Sequence, residues 1–446
     1  MHIHILGICG TFMGGIAAIA KSNGHRVTGC DHNVYPPMST QLENQGIEIL
    51  EGFDPDQINL NPDIFIVGNV VSRGNPLMEL ILDKNLPYQS GPQWLYENIL
   101  KDKWVLAVAG THGKTTTTSM LSWILDYCNY NPGFLIGGVA NNFNLSARSS
   151  TSNFFVIEAD EYDTAFFDKR SKFIHYHPRT LILNNLEFDH ADIFSSIQEI
   201  ENQFHHLVRT VPSMGKILIN KESNHLSNVI SKGIWSEQEF FGDQDGWFYE
   251  KKSNEISVFK NKKVLGNLKV EFFGHHNFMN ALAAIAAAEH VGIKPEDAIE
   301  ALSAFKGVKR RMEKLIEIDG VKIFDDFAHH PTAIEATINA VKDTISKGRV
   351  IIAFEPRSNT MKLGSMKDQL SDSFKNADHV FCYASKELNW DAKKVFEHNP
   401  TTSVYNDIDT MLIELKQSLR KDDYLIFMSN GGFLGAQKKL IDSLQS

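Results

Sequence analysis

An α/β protein of three domains is what this sequence predicts, on three observations. Short apolar strands alternate with helical stretches through its first and last blocks. Two glycine-rich turns each stand between such a strand and a helix. At 446 residues the chain is long enough for about three cores of roughly 150 residues each.

The elements follow in order. In the first block HIHILG, HRVTGC and DIFIVG read as strands, with helical stretches expected over 12–22 and 76–84. The Pro- and polar-containing stretch PYQSGPQWLYENILKDK then leads to a fresh apolar strand, WVLAVAG, which places a boundary near Asp102. Strands FFVIEA and TLILNN follow, then a run of short β segments over 240–273 that is expected to be antiparallel. Ala-rich helices close this block over 280–290 and 295–304, with Pro295 suited to a first helical turn because its missing N–H would be unpaired there anyway. FKGVKRR reads as a linker. From Met312 onward VKIFDDF, RVIIAFE, HVFCYA and DYLIFMS alternate with helices and imply a second mostly parallel sheet. The expected divisions are 1–102, 103–311 and 312–446.

Composition excludes several classes. Hydrophobic residues are 42% and charged residues 22%, as in folded soluble proteins and unlike disordered, collagen-like or coiled-coil chains. Lys and Arg number 44 against 54 Asp and Glu, so no basic excess exists to hold a polyanion by counterion release, and nucleic acid is not expected as the principal partner. The longest near-continuous apolar stretch, 281–288, is far short of the ~20 residues of a bilayer-spanning helix, and no membrane anchor is expected. The start, MHIHILG, lacks the basic opening of a secretory signal, so Met1 is expected to open a strand of the mature protein. Cys9, Cys30, Cys128 and Cys382 show no CxxC spacing, which suggests neither a disulfide framework nor a zinc cage and fits a reducing cytoplasm.

The strongest motif is AVAGTHGKTTTT, between an apolar strand and a helix expected over 114–127. Backbone N–H groups of Gly110, Thr111, His112 and Gly113 can cradle phosphate oxygens, Lys114 can reach the outer phosphates and Thr115 can ligate Mg²⁺. This is an ATP-type loop. The strict Walker pattern asks for Gly where the sequence has Val108, so the shorter G-T-H-G-K-T-T carries the reading; a Gly-rich turn capped by Thr is the plainer alternative. FFVIEADEYD ends a strand in carboxylates, at the edge where α/β sheets bind ligands. Glu158 is a candidate Mg²⁺ ligand there, while Asp160, Glu161 and Asp163 are either part of the site or a solvated acidic turn. After TLILNN, Asp189 and His190 can hold a cation, or serve as a cap and a satisfied histidine.

Farther on, GHHNFMNALAA places His276, Asn277 and Asn280 in the first turns of a helix, where amides can pair with an adenine edge or simply cap. KRRMEKL offers Arg310 and Arg311 to a γ-phosphate, unless they form a solvated basic linker. In the first block GICGTFMGG followed by Asp31 departs from the dinucleotide fingerprint, since Gly7, Gly10 and Gly14 are spaced G-x-x-G-x-x-x-G. A ribose-linked diphosphate of any kind can still use the helix start after Gly10, and tight strand-to-helix packing can also demand these glycines. DDFAHHP and AFEPRSNTMK close strands of the last block. Arg357 there can hold a substrate carboxylate in a two-pronged grip or form a surface salt bridge, and MSNGG reads as a helix-entry loop.

In their order and spacing GTHGKTTT, IEADE, NNLEFDHADIF, GHHNFMNALAA, KRRME and DDFAHHP resemble the ATP-dependent Mur ligases of peptidoglycan synthesis, over nearly the whole chain. The resemblance implies an N-terminal Rossmann-like domain, a central P-loop ATPase-like sheet with an antiparallel β segment, and a C-terminal Rossmann-like domain. It implies that the carboxylate of UDP-N-acetylmuramate attacks the γ-phosphate of ATP, and that an amine then converts the acyl phosphate to an amide, with Mg²⁺ as cofactor. GNVVSRGNP, FFDKRSKFIHYHPRTLILNNLEFDHADIF and FEPRSNTMK point within the family to the branch whose amine is the murein tripeptide L-alanyl-γ-D-glutamyl-meso-diaminopimelate, in cell-wall peptide recycling. Carried over by position, Gly110, Thr111, His112, Gly113, Lys114, Thr115 and Thr116 would hold the phosphates; Thr115, Glu158 and His190 the metals; His276, Asn277 and Asn280 the adenine. Arg311 would contact the γ-phosphate, Asp326 the ribose, and His329 would stabilise charge on closure. Gly7, Gly10, Thr11, Gly14, Asp31, Asn69, Ser72 and Arg73 would line the UDP-sugar site, and Arg357, Ser358 and Asn359 the peptide site. Where several relatives carry a carbamylated Lys downstream of the D-H pair, the corresponding stretch here reads IENQFHHLVR, with Phe204 near that place, and the resemblance implies no such modification. The rival readings are an L-alanine-adding ligase, an NAD-dependent oxidoreductase built on GICGTFMGG, and a non-catalytic nucleotide switch.

Overall fold

A computed structural model describes residues 1–32, 34, 38–191, 193–252, 255–269 and 274–445. Its first sheet has five strands, in the spatial order Glu48–Glu51, Arg26–Asp31, His2–Leu6, Ile64–Val67 and Tyr88–Ser90. All its pairings are parallel. A parallel sheet covered on both faces needs strands apolar throughout, and every residue of His2–Leu6 is buried. The two histidines in that strand are satisfied internally: His4 Nδ1 and His2 Nε2 both reach Thr28 Oγ1, at 2.8 and 3.0 Å, and His4 Nε2 reaches Gln57 Oε1 at 3.1 Å. The helix Thr11–Ser22 begins one residue ahead of its expected start.

The second sheet has ten strands. From Lys216–Asn220 through Thr180–Leu183, Trp104–Ala109 and Phe154–Ala159 to Gly133–Ala140 the pairings are parallel. At one end Gly133–Ala140 forms an antiparallel pair with Leu145–Arg148. At the other, Trp247–Lys252, Glu255–Lys260 and Lys263–Leu268 form an antiparallel meander. The expected antiparallel run over 240–273 is thus right for these three strands and wrong at its start. Phe240 lies in Glu237–Phe241, which runs parallel to Lys216–Asn220 and meets Trp247 in parallel. Alternation reports which face of a strand is buried, not the direction of its neighbour, so pairing sense had no local signal. Residues 253–254 and 270–273, also in that stretch, lie outside the described residues. Helices Lys114–Tyr127, His275–His290 and Pro295–Ser303 accompany this sheet in sequence.

Besides a two-stranded antiparallel pair, Asp163–Ala165 with Asp168–Ser171, a six-stranded sheet orders Glu313–Ile318, Val321–Asp326, Tyr424–Met428, Val350–Phe354, His379–Tyr383 and Thr402–Tyr405. Its first pairing is antiparallel and the rest are parallel. Alternate residues of its strands feed two separate cores, Ile352, Phe354 and Ile426 in one and Ile351, Ala353 and Leu425 in the other, as expected of a sheet layered between helices. The chain divides into two compact units. One comprises Met1–Phe188, Ser196–Val270 and Met279–Lys306, and the other Asp189–Ser195, Glu271–Phe278 and Gly307–Ser446. Among the described residues no helix is long and apolar enough to cross a membrane.

Candidate active site

In the first unit the strand Trp104–Ala109 ends at Gly110, and the loop turns back into the helix Lys114–Tyr127. Gly113 caps that helix with φ of 78°, and an ideal Cβ on it would fall 2.4 Å from Asn280 Oδ1 and 2.6 Å from Asn184 Nδ2. Only glycine fits there. The loop is shaped by the next strand's exit: Thr111 N–H donates to Asn185 O at 3.1 Å, and His112 N–H to Asn185 Oδ1 at 2.7 Å. Asn184 Nδ2 donates to His112 O at 3.1 Å and to Asn280 Oδ1 at 2.8 Å. Glu187 N–H donates to Thr111 Oγ1 at 2.9 Å, and the Glu187 carboxylate lies 3.4 Å from His112 Nε2.

Asn184, Asn185 and Glu187 lie in the NNLEFDHADIF string that carries the family resemblance, but the sequence reading gives them no site role. Two adjacent amides directly after a strand were the available signal. Asn280, proposed for an adenine edge, is buried and bonded to Asn184 beside the loop.

Carboxylates of the neighbouring strand Phe154–Ala159 and its exit meet this loop. Thr115 Oγ1 donates to Glu158 Oε1 at 3.1 Å, and Gly137 N–H donates to Glu158 Oε2 at 2.6 Å. Lys114 Nζ donates to Glu161 Oε2 at 3.0 Å and to Gly110 O at 2.5 Å. Burial opposes the charge of Lys114, but Glu161, Asp160 and Glu158 outweigh it, and its pKa is raised above the ordinary lysine value. The acidic run therefore splits. Glu161, 1% exposed, meets Lys114 of the loop, whereas Asp163 pairs with the exposed Lys169 at 2.7 Å as a surface turn would. Asp160 pairs at 2.9 Å with Lys172, itself buried. Phe204 is buried edge-to-face against Phe173.

The first sheet brings its own candidates to one edge. Gly7, at φ of 81°, and Gly10, which caps the helix Thr11–Ser22, follow the first strand; Asp31 ends the second, and Asn69, Ser72 and Arg73 follow Ile64–Val67. This is the carboxyl edge of adjacent parallel strands, the usual ligand crevice. The Asp31 carboxylate accepts from Cys9 N–H at 3.0 Å and so shapes the glycine turn. A Cβ on Gly14 would fall 2.5 Å from Met38 Sδ, which makes helix packing a sufficient reason for that glycine. Arg73 forms an exposed two-pronged pair with Glu79, at 2.9 and 3.0 Å.

In the second unit Asp326 ends its strand buried, accepting from Met312 N–H at 2.7 Å and Ala328 N–H at 2.8 Å. Burial raises its pKa, against the pull of Arg311. The Arg311 guanidinium lies over the Phe327 ring at 4.7 Å, and His329 Nδ1 lies 3.1 Å from Phe327 O. Burial would raise the pKa of Asp189, yet His190, His329 and His330 bring it below the ordinary value. Thr360 Oγ1 donates to Asp189 Oδ1 at 3.4 Å, which joins the D-H pair to the RSNT string. Asn277 N–H donates to Gly274 O at 3.1 Å in the first turn that also carries His276. Ser358 Oγ accepts from Met361 N–H at 3.2 Å and caps the short helix Asn359–Leu363. Arg357 is 43% exposed, with Nη1 3.7 Å from Glu355 Oε1.

Comparison with known proteins decides the family. Three family models match in succession: Mur ligase family, catalytic domain, over 2–103; Mur ligase middle domain over 108–288; and Mur ligase, glutamate ligase domain, over 310–431. The chain belongs to the Mur ligase family. It is 52% identical to the UDP-N-acetylmuramate--L-alanyl-gamma-D-glutamyl-meso-2,6-diaminoheptandioate ligase of Escherichia coli strain K12, covering 100% of this chain and 98% of the other. Among solved structures, a murein peptide ligase from Psychrobacter arcticus is 44% identical with a TM-score of 0.77, over 100% of this chain and 98% of that one. The UDP-N-acetylmuramate:L-alanyl-gamma-D-glutamyl-meso-diaminopimelate ligase from Neisseria meningitides is 57% identical with a TM-score of 0.67, over 69% of this chain and 99% of that one. As in other Mur ligases, the architecture is α/β with three family segments.

Proposed function

We propose that this Mur ligase joins UDP-N-acetylmuramate to L-alanyl-γ-D-glutamyl-meso-diaminopimelate at the expense of ATP. The observation that carries the reading is the Gly110–Thr115 loop pinned to Glu158 and Glu161, in a chain alike over its full length to ligases of that name. The muramate carboxylate attacks the γ-phosphorus, ADP leaves, and an acyl phosphate forms. The peptide amine adds to its carbonyl carbon, loses a proton, and orthophosphate departs as the amide forms. An α-amino group has a pKa of about 7.7–8.0, so an appreciable neutral fraction exists near pH 7 and no strong base is required.

Lys114 carries the charge that faces the transferring phosphoryl group; the N–H groups of Thr111 and His112, expected to cradle phosphate, donate to Asn185 instead, which leaves the N–H groups of the helix start at Lys114 and Thr115 to hold its neighbours. The Thr115 hydroxyl and the Glu158 carboxylate are hard oxygen donors 3.1 Å apart, a set suited to Mg²⁺, and these two residues would hold it. Bound there, Mg²⁺ would neutralise phosphate charge. His190 is our further metal donor, Arg311 and His329 our charge-stabilising groups, and Asp326 with His276, Asn277 and Asn280 our nucleoside contacts. Gly7, Gly10, Thr11, Asp31, Asn69, Ser72 and Arg73 form the UDP-sugar edge, and Arg357, Ser358 and Asn359 the peptide end. We also place the divisions near 102 and 311, and the enzyme in the cytoplasm, in keeping with its four unpaired cysteines.

Product mass after incubation with ATP, Mg²⁺, UDP-N-acetylmuramate and either tripeptide or L-alanine tests the reading. The tripeptide amide is expected, and exclusive joining of alanine would overturn it. Heavy oxygen placed in the muramate carboxylate should appear in orthophosphate; its full retention would exclude the acyl phosphate.

A further inference from the structure

Arg310 stands just ahead of the strand Glu313–Ile318 with φ of 60°, a left-handed conformation that a bulky residue adopts at a cost. The surroundings fix it there. Its N–H donates to Glu313 Oε2 at 2.9 Å, and its Nε to Asp325 Oδ2 at 3.2 Å. Its Nη2 donates to two backbone carbonyls, Ser429 O and Gly431 O, both at 2.6 Å. A solvated basic linker would show none of this.

Those carbonyls belong to the MSNGG loop that leaves the strand Tyr424–Met428. Within the loop Ser429 Oγ donates to Glu355 Oε2 at 2.6 Å and accepts from Gly431 N–H at 2.9 Å. Arg357 lies directly on Gly431: a Cβ there would fall 2.1 Å from Arg357 Cδ and 2.4 Å from its Nε. The loop is therefore a platform for the Arg357 side chain, tied by Arg310 through its carbonyls and by Glu355 through Ser429. A flexible arginine loses rotamer entropy when it grips a carboxylate, and one already seated loses less. Lysine cannot take the part of Arg310, because a point ammonium lacks the planar fork that reaches Asp325 and two carbonyls together.

We propose that Arg310 is a positioning residue for the incoming peptide, acting through the 429–431 loop on Arg357. The inference rests on reading Arg357 as the group that receives a peptide carboxylate. It gives MSNGG a role beyond helix entry.

A double-mutant cycle on the full-length enzyme tests it, with KM measured for tripeptide and for ATP. Arg310→Ala should raise the tripeptide KM about tenfold or more, the loss expected for a charged hydrogen bond, and move the ATP KM less. Arg310→Lys should recover little. The pair Arg310→Ala and Arg357→Ala should be no worse in tripeptide KM than Arg357→Ala alone. Gly431→Ala, whose Cβ would crowd the Arg357 side chain while Arg310 itself is kept, should raise the same KM and keeps the test alive where Arg310→Ala does not fold. Additive effects in the double variant, equal rises in both KM values, or an unchanged tripeptide KM in Gly431→Ala would each overturn the proposal. If Arg357→Ala leaves the tripeptide KM alone, the peptide-site reading falls first. If it raises that KM and Arg310→Ala does not, only the role of Arg310 falls.

Discussion

Lys114 shows how single residues are tuned. Taking an ammonium out of water disfavours its charge, yet three nearby carboxylates reverse the balance and keep it cationic. Lys114→Ala should lower kcat by at least ~10²–10³-fold at saturating ATP, the scale of losing a charge donor at a transition state. Near-normal turnover would refute its role. Arg357→Ala should instead raise the tripeptide KM by roughly tenfold or more while ATP binding, followed by calorimetry, persists. At this scale the sequence was legible where chemistry is local. GKT marked the turn from strand to helix, but the fates of Asp160, Glu161 and Asp163 were not readable. Whether a carboxylate meets Lys114, Lys172 or the exposed Lys169 depends on what the fold brings to it.

Elements set the next constraints. The turn into Lys114–Tyr127 holds Gly113 at positive φ between Asn280 and Asn184, so Gly113→Ala should cost ~1–3 kcal/mol of stability and weaken nucleotide binding. Thermal melts with and without ATP check both effects, and an unchanged melt would remove the steric argument. The strand His2–Leu6 carries a pH dependence. Burial lowers the pKa of His4 from 6.5 to about 4, so the unfolded chain binds more protons than the folded one between these values. Stability due to this group is present above pH 6.5 and is lost as pH falls toward about 4, by at most ~3 kcal/mol. Urea midpoints at pH 7 and 5 should differ less in His4→Gln than in the parent. Strand existence was read correctly from apolar runs, whereas the parallel entry of Glu237–Phe241 was not, because pairing direction is a property of two strands.

For the whole molecule, two compact units imply departure from two-state unfolding. Calorimetric enthalpy should exceed the van't Hoff value, and a nucleotide at 100 times its Kd should stabilise the folded protein by about 2.7 kcal/mol. A single transition with equal enthalpies would contradict this. Chelation by EDTA should abolish amide formation, with recovery on added Mg²⁺.

The sequence by itself determined the α/β class, the place of the Gly110–Thr115 loop between a strand and a helix, and the family, because each is written in contiguous residues: apolar strands, glycines where backbone must turn, and GKT at a helix start. Tertiary structure alone decided that Asn184 and Asn185 mould the loop, that Glu161 rather than Asp163 meets Lys114, and that Arg310 grips a loop 119 residues away. Such partners are far apart along the chain and are selected by sheet order and burial, which no window of local sequence encodes.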